Sequence, residues 1–420
     1  MRPAAAALIV LLAAASGRAW EQEQARRAWP AFEAWIAAVD RHTPGATDAA
    51  LRDMLRMPTP ELESIFPHIA VTLVSALASE DRRAGFDEFL GKYARRGQTP
   101  EPARLKDAIE RVRRIGIDRF LKRAALMHAE MAVVAPSAHL STEAGTGFLA
   151  ADGRQFAEGG RPWHWIIGRG LLHLVRDARA DPHVRLWYQA AGHHMLASRN
   201  FTEARPHLDR ALELFAGDAE VEFLAGLLHE AQSAPAIQAA VADQIERLPA
   251  RERRQYQPAV ASASGEVSEA IDAFSKSIAA DAAHLESRIR LGRLLAITGK
   301  PEPAAAHLRD ALTRAHAPRH RYLAQLFLGR AEEMRGDMVR ARAAYTAASR
   351  LFPGAQSPRF ALSQLERHAG NRDAAAEALR FLENPSSDDD PWWSYHYVTL
   401  PGHEAWFVKL RAVYRGEVMP

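Results

Sequence analysis

Histidine is the residue type in this chain with the clearest capacity for chemistry, because its imidazole binds zinc or copper and exchanges a proton near neutral pH. Six histidines cluster in the middle of the sequence: His128, His164, His173, His183, His193 and His194. They fall on different faces of the predicted helices, and no carboxylate stands at metal-ligand spacing from them. We interpret them as structural residues and predict no metal site, with a metal-dependent hydrolase as an alternative.

Motifs that mark hydrolases and nucleotide-binding proteins are incomplete in this chain. A zinc-protease helix needs a second histidine four residues after the first, but Ser233 and Phe407 stand in that place after His229 and His403. No serine has the flanking glycines of a nucleophile elbow. Gly299-Lys300 lacks the rest of a phosphate-binding loop, and the chain contains no cysteine. The sequence therefore predicts a non-catalytic protein without a cofactor.

A repeated pattern of small and large side chains runs through the second half of the chain. Ala270, Ala304, Ala341 and Ala375 recur at nearly equal intervals along the sequence. A fifth member of this set is Ala204, and a large side chain follows each alanine by four residues: Leu208, Phe274, Leu308, Tyr345 and Leu379. Twelve residues before the alanines stand Gly192, Pro258, Gly292, Gly329 and Ser363. Small residues at two fixed positions predict helical hairpins whose helices approach closely.

Glycines mark the expected turn between the two helices of each hairpin. Gly265, Gly299, Gly336 and Gly370 fall at one point of the period. Glycine there permits a left-handed residue at the end of the first helix. Asp337 and Asn371 follow directly and are suited to capping the second helix.

This pattern resembles the tetratricopeptide repeat (TPR), a helix–turn–helix unit that recurs about every 34 residues. The best single unit is 322–355, with Leu328-Gly329, Gly336-Asp337, Tyr345 and Pro353 at family positions. The resemblance covers about 181–382 and implies a right-handed α-solenoid whose first helices line a groove for peptides. The stretch between Gly226 and Ala270 is about one repeat too long, so we expect an additional degenerate unit there.

The remaining segments complete an all-α prediction with one small insertion. Residues 20–136 show apolar spacing of three and four and predict an amino-terminal helical domain. Within 137–180, an Asp152-Gly153 turn predicts a β-hairpin insertion before a connecting helix. Repeats are expected over 181–384. Residues 385–420 contain a Trp- and Tyr-rich run, for which we predict a terminal cap or, alternatively, a docking patch.

The amino terminus predicts export. Residues 1–19 combine Arg2, a short apolar run and a small residue at Ala19, as in a cleaved secretory signal; the alternative is an uncleaved amphipathic start or a membrane anchor. The mature chain is expected in the periplasm or outside the cell, without a transmembrane segment. The formal net charge of the whole chain is +3, which gives no basis for nucleic-acid binding.

The resemblance also implies a partner-binding groove and its residues. Family positions on the first helices correspond to Arg293, Arg330, Ile289, Leu326, Phe360, Gln364, Arg367 and His193. Two guanidinium groups in successive repeats, beside apolar neighbours, predict a partner that is acidic or ends in a free carboxylate. An alternative is that these arginines pair with Glu333 or solvent. The docking patch would comprise Trp392, Trp393 and Tyr395. We predict a protein-binding scaffold in the cell envelope, with an assembly or secretion accessory that oligomerises as the alternative.

Overall fold

The computed structural model describes residues 27, 29–41, 49–50, 53, 102–134, 163–173, 175–247, 262–380, 390–396 and 403–415. Helices and short turns make up these residues, which confirms the all-α prediction for the part described. The predicted signal at 1–19 and the predicted β-hairpin both lie outside the described residues. Contacts divide the chain into one unit of Met1–Ala138, Phe156–Trp187 and Lys409–Pro420, and another of His139–Gln155 and Tyr188–Val408.

The first unit is built from helices with an aromatic core. Its helices are a stretch at 29–40, α1 (Pro102–Ile115), α2 (Ile117–Val134), α3 (Trp163–His173) and the start of α4 (Pro182–Ala197). Trp35 is buried and meets the ring of Phe120 edge-on at 5.8 Å. Trp187 packs against Trp165 at 5.9 Å, and its indole N–H donates to the carbonyl of Ala125 at 3.1 Å. These rings bury large apolar surface, which drives the packing of the helices.

The second unit is an array of helix pairs. Its helices after α4 are α5 (Phe201–Leu214), α6 (Ala219–Gln232), α7 (Pro235–Glu246), α8 (Ala263–Ala280), α9 (Leu285–Ile297), α10 (Pro301–Arg314), α11 (Pro318–Met334), α12 (Met338–Leu351), α13 (Ser357–His368), α14 (Arg372–Ala378), α15 (Pro391–His396) and the start of α16 (His403–Arg415). The pairs are α4/α5, α6/α8, α9/α10, α11/α12 and α13/α14. We call the surface formed by the first members, α4, α6, α9, α11 and α13, the first-helix face.

Close approach within the pairs follows from the small residues of the repeat. A Cβ added to Gly292 would lie 2.5 Å from Leu308, and one added to Gly329 would overlap the ring of Tyr345. The large residue in each case is the one that follows the repeat alanine by four positions. The predicted pairing of small and large residues is therefore the contact that joins the two helices.

The long spacing in the middle of the array is an insertion within one pair. A Cβ on Gly226 of α6 would lie 2.6 Å from Phe274 of α8, which repeats the contact of the other pairs across a much longer stretch of chain. The extra chain therefore lies between the two helices of one pair, because α8 packs directly on α6. The extra chain includes α7 and residues outside the described part.

Turn geometry agrees with the sequence in most pairs. Gly299, Gly336 and Gly370 have φ angles of +78°, +77° and +81°, a region that favours glycine. Gly265 differs from the prediction, because it lies inside α8 as a consequence of the insertion. The carboxylate of Asp337 accepts from the backbone N–H of Arg340 at 3.0 Å and caps α12 as predicted.

In the described residues, no helix is long and apolar enough to cross a membrane.

Candidate protein-binding face

Residues 390–396, which we call the docked tail, lie on the first-helix face. The tail comprises Asp390 and the short helix α15. Its contacts are with α6, α9, α11 and the start of α13, which all belong to the same unit. A terminal cap would cover the end of the array at α14, whereas these contacts run along its side.

A buried ionic cluster forms the deepest part of this surface. Arg290 is fully buried and donates to one Glu230 carboxylate oxygen at 2.6 Å. Arg293 donates to the other Glu230 oxygen at 3.0 Å, and Arg290 also pairs with Glu286 at 3.1 Å. Buried charges are tolerated only when they are paired in this way. The cluster therefore fixes the positions of two guanidinium groups before any ligand is considered.

Tyr395 of the docked tail completes this cluster. Its hydroxyl donates to Glu230 Oε1 at 2.5 Å, and the Arg290 guanidinium lies 4.2 Å from its ring centre. Burial and the adjacent Glu230 carboxylate raise the pKa of Tyr395, outweighing Arg293 and Arg290, so the phenol stays protonated and donates. The residue is only 2% exposed. Tyr395 is therefore a buried contact and not a member of an exposed patch.

An aromatic cluster surrounds the Arg293 side chain. Trp392 stacks on Tyr395 at 5.5 Å, and Phe327 of α11 meets the two rings edge-on at 5.9 and 5.1 Å. The Arg293 guanidinium lies 5.2 Å from the ring centres of both Trp392 and Tyr395. Each cation–π contact contributes on the order of 1 kcal/mol. Trp393, the remaining predicted patch residue, is 46% exposed.

Asp390 holds the other end of the docked tail. One carboxylate oxygen accepts from the Tyr322 hydroxyl at 2.6 Å and from the Trp392 N–H at 3.0 Å. The other accepts from the backbone N–H of Ser357 at 2.8 Å and from its hydroxyl at 2.7 Å. Burial and this carboxylate raise the pKa of Tyr322, which keeps its hydroxyl a donor. A carboxylate with several donors is well satisfied away from water.

A second cluster lies at the other end of the first-helix face. His193 of α4 contacts Glu220 at 2.7 Å, and His284 contacts the second oxygen of Glu220 at 3.4 Å. Burial raises the pKa of Glu220, but these histidines outweigh it and hold the value at about 2. Trp406 of α16 stacks on His193 at 4.6 Å, and Phe407 meets His194 at 5.6 Å. Aromatic residues from the carboxyl-terminal segment therefore cover this end also.

Comparison with known proteins adds structural neighbours only. No protein-family model and no curated protein matches the chain. Among solved structures, YrrB, described as "a TPR protein with an unusual peptide-binding site", is 18% identical, with 47% of this chain and 84% of that chain covered and a TM-score of 0.33. PilF of Pseudomonas aeruginosa is 14% identical, over 55% and 92%, with a TM-score of 0.37. PilW, a "widely conserved type IV pilus biogenesis factor", is 15% identical, over 60% and 97%, with a TM-score of 0.36.

Because these TM-scores are below 0.5, the fold assignment depends on the helix pairs of the chain itself. The repeats are tetratricopeptide-like. In this TPR-like unit the predicted groove residues separate into two groups. His193, Ile289, Arg293 and Leu326 are buried or half-buried near the two clusters. Arg330, Phe360, Gln364 and Arg367 are exposed farther along the face.

Arg293 and Arg330 do not share a carboxylate in this structure. Arg293 pairs with Glu230, while Arg330 pairs with Glu333 at 3.3 Å. The alternative interpretation, in which Glu333 pairs with an arginine of this set, matches the contact of Arg330. The Arg330 side chain is 57% exposed, so this pair leaves it accessible to a ligand.

Three residues of the site are outside the positions that the repeat pattern defines: Arg290, Glu286 and Asp390. Arg290 stands on the core side of α9, where the family pattern gives no reason to expect a charge. Glu286 precedes it by four residues, a spacing that pairs charges on a helix and was the available signal. Asp390-Pro391 resembles a helix start, but nothing local indicates that its carboxylate contacts α11 and α13.

Two histidines of the sequence cluster, His128 and His183, belong to the first unit. His128 is buried, and burial lowers its pKa to about 3. His183 contacts Asp181 at 3.4 Å, in the first unit. In the part of the chain that is described, no three potential metal-binding side chains come together.

Proposed function

We propose that this chain is a non-catalytic scaffold that holds a segment of a partner protein on the first-helix face of its TPR-like unit. The observation that supports this proposal most directly is the docked tail itself. The face seats a stretch of polypeptide through Glu230, Arg293 and Phe327, by means of ion pairs, a buried phenol and stacked rings. Buried aromatic and arginine anchors of this kind dominate the energy of protein–protein contacts.

The partner segment in this proposal is acidic or ends in a free carboxylate. Arg330 occupies on α11 the position that Arg293 occupies on α9, and its side chain is largely exposed. Its pair with Glu333 is a surface ion pair, which is worth about 0–1 kcal/mol. A carboxylate of a partner therefore competes with Glu333 at small cost. Arg367 of α13 is exposed at the next position along the face.

The proposal includes an exported site of action in the cell envelope. Its support is the amino-terminal sequence at 1–19, with Arg2, an apolar run and Ala19. The absence of cysteine is compatible with an oxidising compartment. Fractionation of cells that express the full chain tests this part separately from binding.

Site-specific photo-crosslinking in cells tests the binding proposal. A benzoylphenylalanine in place of Phe360 reports from the first-helix face, because this aromatic residue is 42% exposed on α13. The same group in place of Val339, an exposed residue of the second helix α12, is the matched control. We expect one protein to be captured from position 360 and not from position 339. Equal capture from both positions, or none from 360, contradicts the proposal.

A pair of charge reversals tests the carboxylate preference. Arg330→Glu changes the first-helix face, and Arg340→Glu makes the same change on α12, where the arginine is similarly exposed. We expect Arg330→Glu to weaken capture of the protein crosslinked from position 360 at least fivefold, and Arg340→Glu to leave it unchanged. Intact capture with Arg330→Glu refutes an acidic partner while leaving the scaffold proposal standing.

A further inference from the structure

Three side chains anchor the docked tail on the first-helix face. Asp390 contacts α11 and α13, Trp392 contacts Phe327 of α11, and Tyr395 reaches Glu230 of α6. The anchors stand at positions one, three and six of a short motif. From Asp390 to Tyr395 the anchoring contacts thus extend from α13 and α11 to α6.

Trp393, which stands between the anchors Trp392 and Tyr395, differs from them in its exposure. Trp393 is as large and apolar as Trp392, but it is 46% exposed, whereas Tyr395 two positions later is 2% exposed. A segment held only by nonspecific hydrophobic contact would bury both tryptophan rings irrespective of their positions. The tail instead buries Asp390 and Tyr395 and half-buries Trp392, at defined positions, as a peptide ligand does.

The receptor side of this contact is held in place by residues outside the tail. Arg290 is fixed by Glu230 and Glu286, and Glu286 is further paired with Arg319 at 3.5 Å and His320 at 3.1 Å. When the tail leaves, Glu230 loses the Tyr395 hydroxyl but keeps both arginines. The site therefore remains formed, with Arg293 available to another ring.

We propose that the first-helix face recognises partner segments with an acidic residue, an aromatic residue two positions later and a tyrosine five positions later, and that residues 390–396 are the chain's own competing copy of this motif. This inference rests on the proposed function and names the chemistry of its ligand. A partner binds by displacing the docked tail. The apparent association constant of the partner is its intrinsic constant multiplied by the fraction of chains in which the tail is undocked.

Binding of a synthetic peptide to the full-length chain tests this inference. The probe is a fluorescent peptide with the sequence of residues 388–397, DDDPWWSYHY. Tyr395→Ala and Asp390→Ala weaken the attachment of the tail without changing a receptor residue. We expect both variants to bind the peptide at least tenfold more tightly than the native chain. Trp393→Ala, the matched control in the same helix, stays within twofold of the native chain.

The same assay contains receptor-side and peptide-side controls. In the Tyr395→Ala background, Arg293→Gln is expected to weaken the peptide at least fivefold, because it removes the cation beneath both rings. A peptide with alanine in place of the residue corresponding to Tyr395 is expected to lose binding. Thermal unfolding of each variant checks that the array is still folded.

Several outcomes overturn the inference. If the native chain, Tyr395→Ala and Asp390→Ala bind the peptide with equal affinity, the tail does not compete with it. If replacing the peptide tyrosine by alanine leaves binding unchanged, the motif is wrong. Sedimentation that shows a dimer dissociating on peptide addition means that tails are exchanged between two copies. Failure of the peptide with continued capture from position 360 rejects the motif alone, whereas loss of that capture rejects the proposed function.

Discussion

Removal of the Tyr395 hydroxyl is the mildest change that tests the docking of the tail. Tyr395→Phe keeps the ring, its stack on Trp392 and its contact with Arg290, and deletes only the group that donates to Glu230 at 2.5 Å. No receptor residue changes. The variant therefore isolates one buried hydrogen bond between the tail and the first-helix face.

The expected magnitude follows from what the carboxylate keeps. A hydrogen bond to a charged group contributes about 1.5–3 kcal/mol, with the larger values arising when the partner is left unsatisfied. Glu230 retains Arg290 at 2.6 Å and Arg293 at 3.0 Å, so the lower end applies. A loss of about 1.5 kcal/mol raises the population of undocked tail roughly tenfold.

Amide hydrogen exchange with mass spectrometry measures this population, because exchange reports local opening. The Trp393 N–H donates to the carbonyl of Asp390 at 3.0 Å, so its protection depends on the docked conformation. We expect exchange over 390–396 to become about tenfold faster, with α10 unchanged as the internal reference. A change of less than twofold refutes the energetic role of this contact. Equal acceleration in α10 means that the whole unit is destabilised and the reasoning about local docking fails.

Three further changes test the packing, the electrostatics and the capping of the array. Gly329→Ala places a Cβ against the ring of Tyr345 and should cost about 1–3 kcal/mol of unfolding free energy, measured by denaturant titration. The pKa of Glu220 is lowered from 4.5 to about 2 by its hydrogen bonds from the histidines, chiefly His193, so its stabilisation is present above pH 4.5 and lost toward pH 2. Glu220→Gln should flatten the loss of stability in that window, and an unchanged pH profile contradicts the assignment. Asp337→Ala removes a helix cap and should cost about 1 kcal/mol in the same titration.

The helix pairs were predictable because their determinants are local or periodic. Gly329 and Tyr345 stand at a fixed separation in a repeated pattern, and their contact is the one that the pattern implies. The turn at Gly336 and the cap at Asp337 depend on adjacent residues only. The period alone does not predict that Phe274 packs on Gly226 across the insertion after α6, because the two residues stand outside the usual spacing.

The candidate site was predictable only in part. The family position identified Arg293, and the first-helix face does contain it in contact with aromatic rings. Its ligand could not be foreseen, since Tyr395 reaches Glu230 from a distant part of the sequence and no periodicity connects them. Burial of Arg290 likewise depends on partners from separate helices. Long-range polar contacts of this kind are fixed by the assembled fold and not by local pattern.

Photo-crosslinking from the docked tail tests most directly whether the first-helix face holds a protein segment. Benzoylphenylalanine in place of Trp392, in the purified full-length chain, should crosslink within one molecule to the region of Phe327 and Arg293, where the native ring lies. An excess of the 388–397 peptide should reduce this product. Crosslinks to the second helices instead, or a product that the excess peptide leaves unchanged, would contradict the account.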